Sequence, residues 1–185
     1  MLLGGACAGS SADTRYDAPP AAIDGDGADG ADGADADDGA SDADTGDDAR
    51  AEPARADVVG VSVSGAAGAY QLSVTLRSPD TGCARYADWW EVVSPAGELL
   101  YRRILAHSHV DEQPFTRSGG PAAVAADAEV IVRAHLHDDA GEGSGYGGVA
   151  WRGTPAGGFG PDPSVDAGFA AALESAAPTP SGCAF

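Results

Sequence analysis

The four histidines of the chain come as two pairs, His107-Ser108-His109 and His135-Leu136-His137. On a β-strand, residues i and i+2 project from the same face about 6.7 Å apart. Each pair can therefore offer two imidazoles together, as a zinc or copper(II) site built on strands requires, with Zn–N bonds of about 2.0–2.1 Å. Asp111 and Glu112 follow the first pair, and Asp138 and Asp139 follow the second. Asp111 or Glu112 can serve as a further ligand, or as a base on metal-bound water if a coordination position stays open. A metal-dependent enzyme would use that open position, and a binding module would fill it. Without metal, the same histidines are solvated strand-end residues of a structural or adhesive surface domain. No catalytic residue is assigned beyond this cluster. No GxSxG nucleophile elbow occurs, and the GxGxxG at 143–148 leads into a strand-like segment rather than a helix.

The pattern from residue 57 onward sets the elements that must position these side chains. Val59, Val61 and Val63 alternate, as do Tyr70, Leu72, Val74 and Leu76, with Gly-Ala-Ala-Gly (65–68) as the turn between them. Further strands are expected over 86–93, 98–109, 128–137 and 148–152, punctuated by Ser-Pro-Asp-Thr-Gly (78–82) and Ser-Pro-Ala-Gly (94–97). Short strands with frequent turns predict a mainly β domain, an immunoglobulin- or fibronectin-III-like antiparallel sandwich over 57–185. Val130, Val132, Ala134 and Leu136 mark the core side of their strand, leaving Arg133, His135 and His137 on the other side. Of the adjacent Trp89 and Trp90, one must point inward and one outward. The outward one can stack on a sugar or peptide. Arg102 and Arg103 likewise diverge. The polar segment 111–121 reads as a loop of the ligand-binding kind. Asp162 as N-cap, Pro163 at the first position and the stripe Val165, Phe169, Leu173 and Ala176 predict one helix near 163–177, stopped by Pro178.

Charge separates the rest of the chain from this domain. The 185 residues carry 29 acids and 10 basic residues, all Arg, for a formal −19. Residues 1–56 hold 14 of the acids and three Arg, and 57–185 hold 15 and seven. Such a chain repels phosphate backbones, so nucleic acid is not an expected partner. The stretch 23–48 is almost wholly Asp, Gly and Ala, and no register of it fits an EF-hand loop. With little apolar surface to offset the ordering of its backbone, 8–56 is expected to be a disordered, self-repelling acidic tether.

The opening Leu2, Leu3, Gly4, Gly5, Ala6 and Cys7 resembles the end of a bacterial lipoprotein signal peptide. In that family an apolar stretch ends in small residues before a cysteine that receives the lipid. Gly4 stands where the family favours an aliphatic residue, and a basic n-region is expected upstream of residues 1–7. The resemblance implies lipid attachment at Cys7, with membrane contact only through that anchor. It also implies a cell-envelope location: Ala8, where inner-membrane retention uses Asp, points to the outer membrane, or the protein is secreted. Partners would then be an envelope protein or a small ligand. Setting Cys7 aside leaves Cys83 and Cys183, an even pair read as one disulfide in an exported protein.

Overall fold

The computed structural model describes residues 54–141 and 144–184. Eight strands follow one another: β1 (Asp57–Ser64), β2 (Tyr70–Arg77), β3 (Arg85–Val93), β4 (Leu99–Ile104), β5 (Phe115–Ala122), β6 (Val130–Asp138), β7 (Ala150–Thr154) and β8 (Gly158–Asp162). They form a three-stranded sheet, β1-β2-β5, and a five-stranded sheet, β4-β3-β6-β7-β8, with every pairing antiparallel. The lipobox-like residues 1–7 and nearly all of the acidic tether lie outside the described residues.

Alternation decides which side of each strand is apolar. Tyr70, Leu72, Val74 and Leu76 of β2 meet Trp90 and Val92 of β3 and Val130, Val132, Ala134 and Leu136 of β6 in one cluster between the sheets. In β1 the register shifts between Val58 and Gly60, so Val58, Val61 and Val63 reach the cluster and Val59 does not. Trp90 is fully buried there, as expected of the inward member of its pair.

The expected loop 111–121 is in large part strand β5. Gly119, Gly120 and Pro121 look like loop residues in isolation, yet each is accommodated by its neighbours. The Ser118 and Thr116 hydroxyls hydrogen-bond those of Ser73 and Thr75 on β2, at 2.7 and 2.8 Å. A Cβ on Gly119 would sit 2.6 Å from the Tyr101 hydroxyl oxygen and 3.0 Å from Cζ2 of Trp90. The missing side chain is what lets these two rings pack over the strand. Gly119→Ala is therefore expected to lose about 1–3 kcal/mol by overpacking, read as a lowered urea midpoint. An unchanged midpoint would show that the rings have room to move.

The helix expected over 163–177 is absent. Asp162 is already the last residue of β8, and its carboxylate binds Ser164 and Arg152. The Asp166 carboxylate accepts from the amides of Gly168 and Phe169, closing a local turn. Ala170 is left-handed at φ 47°, and only a short 3-10 turn, Ala171–Ser175, follows. Several carbonyls of this segment are also taken by arginines of the five-stranded sheet.

Candidate functional site

The outer face of the five-stranded sheet carries charge in a row. Cross-strand pairing sets Arg102 of β4, Glu91 of β3 and Arg133 of β6 side by side. Glu91 is wholly buried. Its Oε2 accepts from Arg102 Nε at 2.8 Å and Nη2 at 2.6 Å, and its Oε1 accepts from Arg133 Nε at 2.8 Å and lies 2.7 Å from Arg133 Nη2. One carboxylate thus faces two guanidiniums, each with donors to spare. Arg102 donates those to the carbonyls of Leu173, Ala176 and Pro178, and Arg133 donates to those of Phe169 and Ala170. Five carbonyls are drawn onto the sheet, among them those of Phe169, Ala170 and Leu173, which a helix over 163–177 would have paired with its own amides. The C-terminal segment is thereby strapped over a polar face, and burial of these charges is tolerable because nearly all of their hydrogen-bonding capacity is met.

Aromatic rings complete the cover. Tyr146 lies 3.5 Å over the Arg133 guanidinium, and Trp89 takes Arg102 at 4.6 Å. Burial, and then the Glu91 carboxylate, push the Tyr146 hydroxyl up to about 12. Trp89, the outward tryptophan, stacks on His135 at 3.7 Å, so its partner is a ring of the same sheet.

A β-bulge re-aims the next residue. Ala87 pairs with Leu136 and Trp89 with His135, leaving Asp88 as the extra residue of β3. Bulges recur beside binding sites because they redirect one side chain without ending the strand. Here Asp88 joins Trp89 on the outer side, and its Oδ1 lies 2.6 Å from His135 Nδ1. His135 Nε2 lies 3.3 Å from Glu174 of the strap. Burial pushes the Asp88 carboxyl up, and its hydrogen bond to His135 pulls it back down. Beside Asp88 opens a cleft of about 390 Å³, lined by Tyr86, Asp88, His137 and Pro180 and by the Cys83–Cys183 disulfide. The disulfide expected from cysteine counting is present, with Cα atoms 5.5 Å apart. It fixes the end of the strap beside β3.

The two His pairs have different surroundings. β4 ends at Ile104, so His107 and His109 stand in the loop beyond it. Their rings are 4.5 Å apart, and His109 stacks on Phe115 of β5 at 3.8 Å, on the inter-sheet side. Asp80 holds this loop by accepting the His109 amide at 2.8 Å. His135 is on the outer face under the strap, and His137 Nε2 lies 3.0 Å from Asp139. Asp111 is exposed, and Glu112 pairs with Arg117 at 2.7 Å, which holds its carboxyl below the ordinary range. Among the described residues no group of three or more His, Cys, Asp or Glu is arranged to hold a metal ion.

His109 is 3% exposed, and neither ring nitrogen has a hydrogen-bond partner. Burial, with Arg117 and His107 nearby, lowers its pKa from the ordinary 6.5. The folded state thus resists protonation more than the unfolded chain does. The stability tied to its neutral ring is fully present above pH 6.5 and is lost as pH falls below that toward the depressed folded value. Urea midpoints at pH 7.5 and 5 are expected to differ less in His109→Phe than in the natural protein; an equal drop in both would contradict this.

The residues that organise this face escaped sequence reasoning. Glu91 sits among apolar residues, and alternation alone only sets Arg102 apart from Arg103 and puts Arg133 on the side of its strand away from the core. A weak signal existed: Glu91 is the only charged residue in 89–93, inside an otherwise apolar strand.

No family model matches the chain, and no solved structure matches it. A protein of Halomicrobium mukohataei named "Putative lipoprotein" is 43% identical to it over 96 residues, 51% of this chain and 45% of that protein. The chain therefore spans about half the length of the curated relative it matches. Among the described residues no helix is long and apolar enough to cross a membrane.

Proposed function

We propose that this chain is a cell-envelope lipoprotein in which Cys7 carries the lipid, the acidic segment after it is the spacer, and the folded unit is an exported binding module. The observation that carries the reading is the Cys83–Cys183 disulfide, because such crosslinks persist in oxidising compartments outside the cytosol. The name of the relative from Halomicrobium mukohataei agrees with it. The finer fold assignment is a fibronectin-III-like sandwich. In its favour, β1-β2-β5 and β4-β3-β6-β7 follow the A-B-E and C′-C-F-G strand orders of that class, with β8 added at one edge.

Fractionation of the native host tests the reading. The protein is expected in the membrane fraction with a lipid on Cys7, and Cys7→Ser is expected to move it to the soluble fraction. The same separation distinguishes an outer-membrane position from other envelope sites. Unlabelled Cys7 in a cytosolic protein would end the proposal. A second reading, a zinc or copper ion, rests on the 4.5 Å approach of the His107 and His109 rings. Elemental analysis after dialysis against zinc or copper decides it: one equivalent, lost in His109→Phe, supports a metal centre. No retained metal removes it, together with the enzyme that would depend on it.

A further inference from the structure

We propose that the cleft between β3 and the disulfide-tethered end of the strap binds a small organic cation with an apolar body, using the Asp88 carboxylate as its counter-ion. The inference rests on the folded unit being a binding module and is independent of lipid anchorage.

Three observations converge on this chemistry. First, the bulge turns Asp88 out of the strand's regular alternation and into the cleft, where its side chain is 5% exposed and Oδ1 is held by His135 at 2.6 Å. A carboxylate fixed by a hydrogen bond and shielded from bulk water attracts a cation far more strongly than a solvated one does. Second, the surrounding charge has the same sign. The Tyr86 hydroxyl is pushed up by burial and then by the negative charge of Asp88, Asp139 and Asp80; of these Asp88 lines the cleft, Asp139 lies 3.0 Å from His137, and Asp80 is held on the Ala87 and His109 amides. Arg85, the nearby guanidinium, is engaged with Asp138 at 2.9 Å. An anionic ligand would meet this field unfavourably. Third, the cleft is also lined by aromatic and apolar groups: Tyr86, His137, Pro180 and the Cys83–Cys183 disulfide, with Gly182. The Tyr86 and His137 rings stand 5.4 Å apart at 59° and both line the cleft, and aromatic rings attract a cation. A volume of about 390 Å³ suits a ligand the size of an aralkylamine.

The disulfide forms part of the wall, so the site exists complete only in the oxidised protein. Removing the crosslink leaves the chain end that carries Pro180 and Cys183 to the Arg102–Pro178 and Ala184–Ala106 hydrogen bonds on either side of it, and loosens it.

The test uses full-length oxidised protein carrying Cys7→Ser and three probes of one shape: phenethylamine, phenethyl alcohol and phenylacetate. Backbone amide shifts are followed by NMR. The amine is expected to saturate shifts at Tyr86, Asp88, His137 and Cys183, and to bind about tenfold or more tighter than the alcohol. Phenylacetate should produce no saturable shift there. Asp88→Asn should erase the preference for amine over alcohol. Asp139→Asn, at the exposed carboxylate 3.0 Å from His137, should reduce it about two- to threefold without affecting the fold, which keeps the proposal open to test if Asp88→Asn unfolds. Reduction of the disulfide should weaken amine binding about tenfold. Equal binding of amine and alcohol would overturn the proposal. So would amine shifts spread over the acidic surface without the cleft residues. Neither outcome would touch the fractionation result, so failure of this site and failure of the anchoring proposal remain distinguishable.

Discussion

Glu91→Ala is expected to destabilise the folded unit by about 3–5 kcal/mol, the range found when one member of a buried ion network is removed and its partners stay buried. Two guanidiniums lose their shared counter-ion while the strap carbonyls still hold them in place. Arg102 and Arg133 are 6% and 3% exposed, so neither can turn out to water without lifting the strap. Urea denaturation of natural protein and variant measures the loss. A change below about 1 kcal/mol would mean that water already reaches this face. Replacing all three members with Leu and Met is a sharper companion experiment. An apolar row of similar volume recovers much of the stability of the sheet, but it cannot donate to the carbonyls of residues 169–178. Global stability and strap protection should then separate: a midpoint near the natural one, with fast amide hydrogen exchange confined to the C-terminal segment.

The second large effect is expected from the disulfide. Cys83 and Cys183 are 100 residues apart, and the chain-entropy treatment of so long a loop gives about 4–5 kcal/mol. Cys83→Ser combined with Cys183→Ser should lower the urea midpoint accordingly. The strap should stay docked under native conditions, because the five carbonyl hydrogen bonds from Arg102 and Arg133 do not involve the crosslink. A loss below about 1 kcal/mol would show that the strap is held by the arginines alone. Combining the serine pair with Glu91→Ala should cost more than the sum, because each change removes one fastening of the same segment.

The inner layer was legible in the sequence because period-two alternation depends on local residue order. Tyr70, Leu72, Val74 and Leu76, and Val130 through Leu136, fall where alternation puts them. The outer layer was not. Arg133 and His135 alternate with core residues and so read as solvent-facing, yet both are buried, because a segment 30 to 40 residues away in sequence covers them. That cover has no periodicity of its own. Its order comes from carbonyls captured by two arginines, and the same capture explains why the apparent helix stripe of Val165, Phe169, Leu173 and Ala176 does not coil. β5 was hidden by Gly119, Gly120 and Pro121; the place of Gly119 in the strand depends on Trp90 and Tyr101 lying above, and that of Gly120 on the close approach of Tyr70 and Gln71. The bulge at Asp88 is a register event between two strands, and a single strand's sequence does not encode it. In the order β4-β3-β6, β4 and β6 run the same way with β3 between them. The chain leaves β4 at Ile104, however, before reaching His107.

The central proposal is an exported, lipid-anchored protein whose folded unit is closed by a crosslink. Mass spectrometry of peptides from the protein taken out of its native membranes, alkylated and digested without reduction, tests it most directly. The expected result is a Cys83–Cys183 crosslinked peptide together with a Cys7 peptide carrying the mass of a lipid. Alkylated free thiols at both 83 and 183, with an unmodified Cys7, would contradict it.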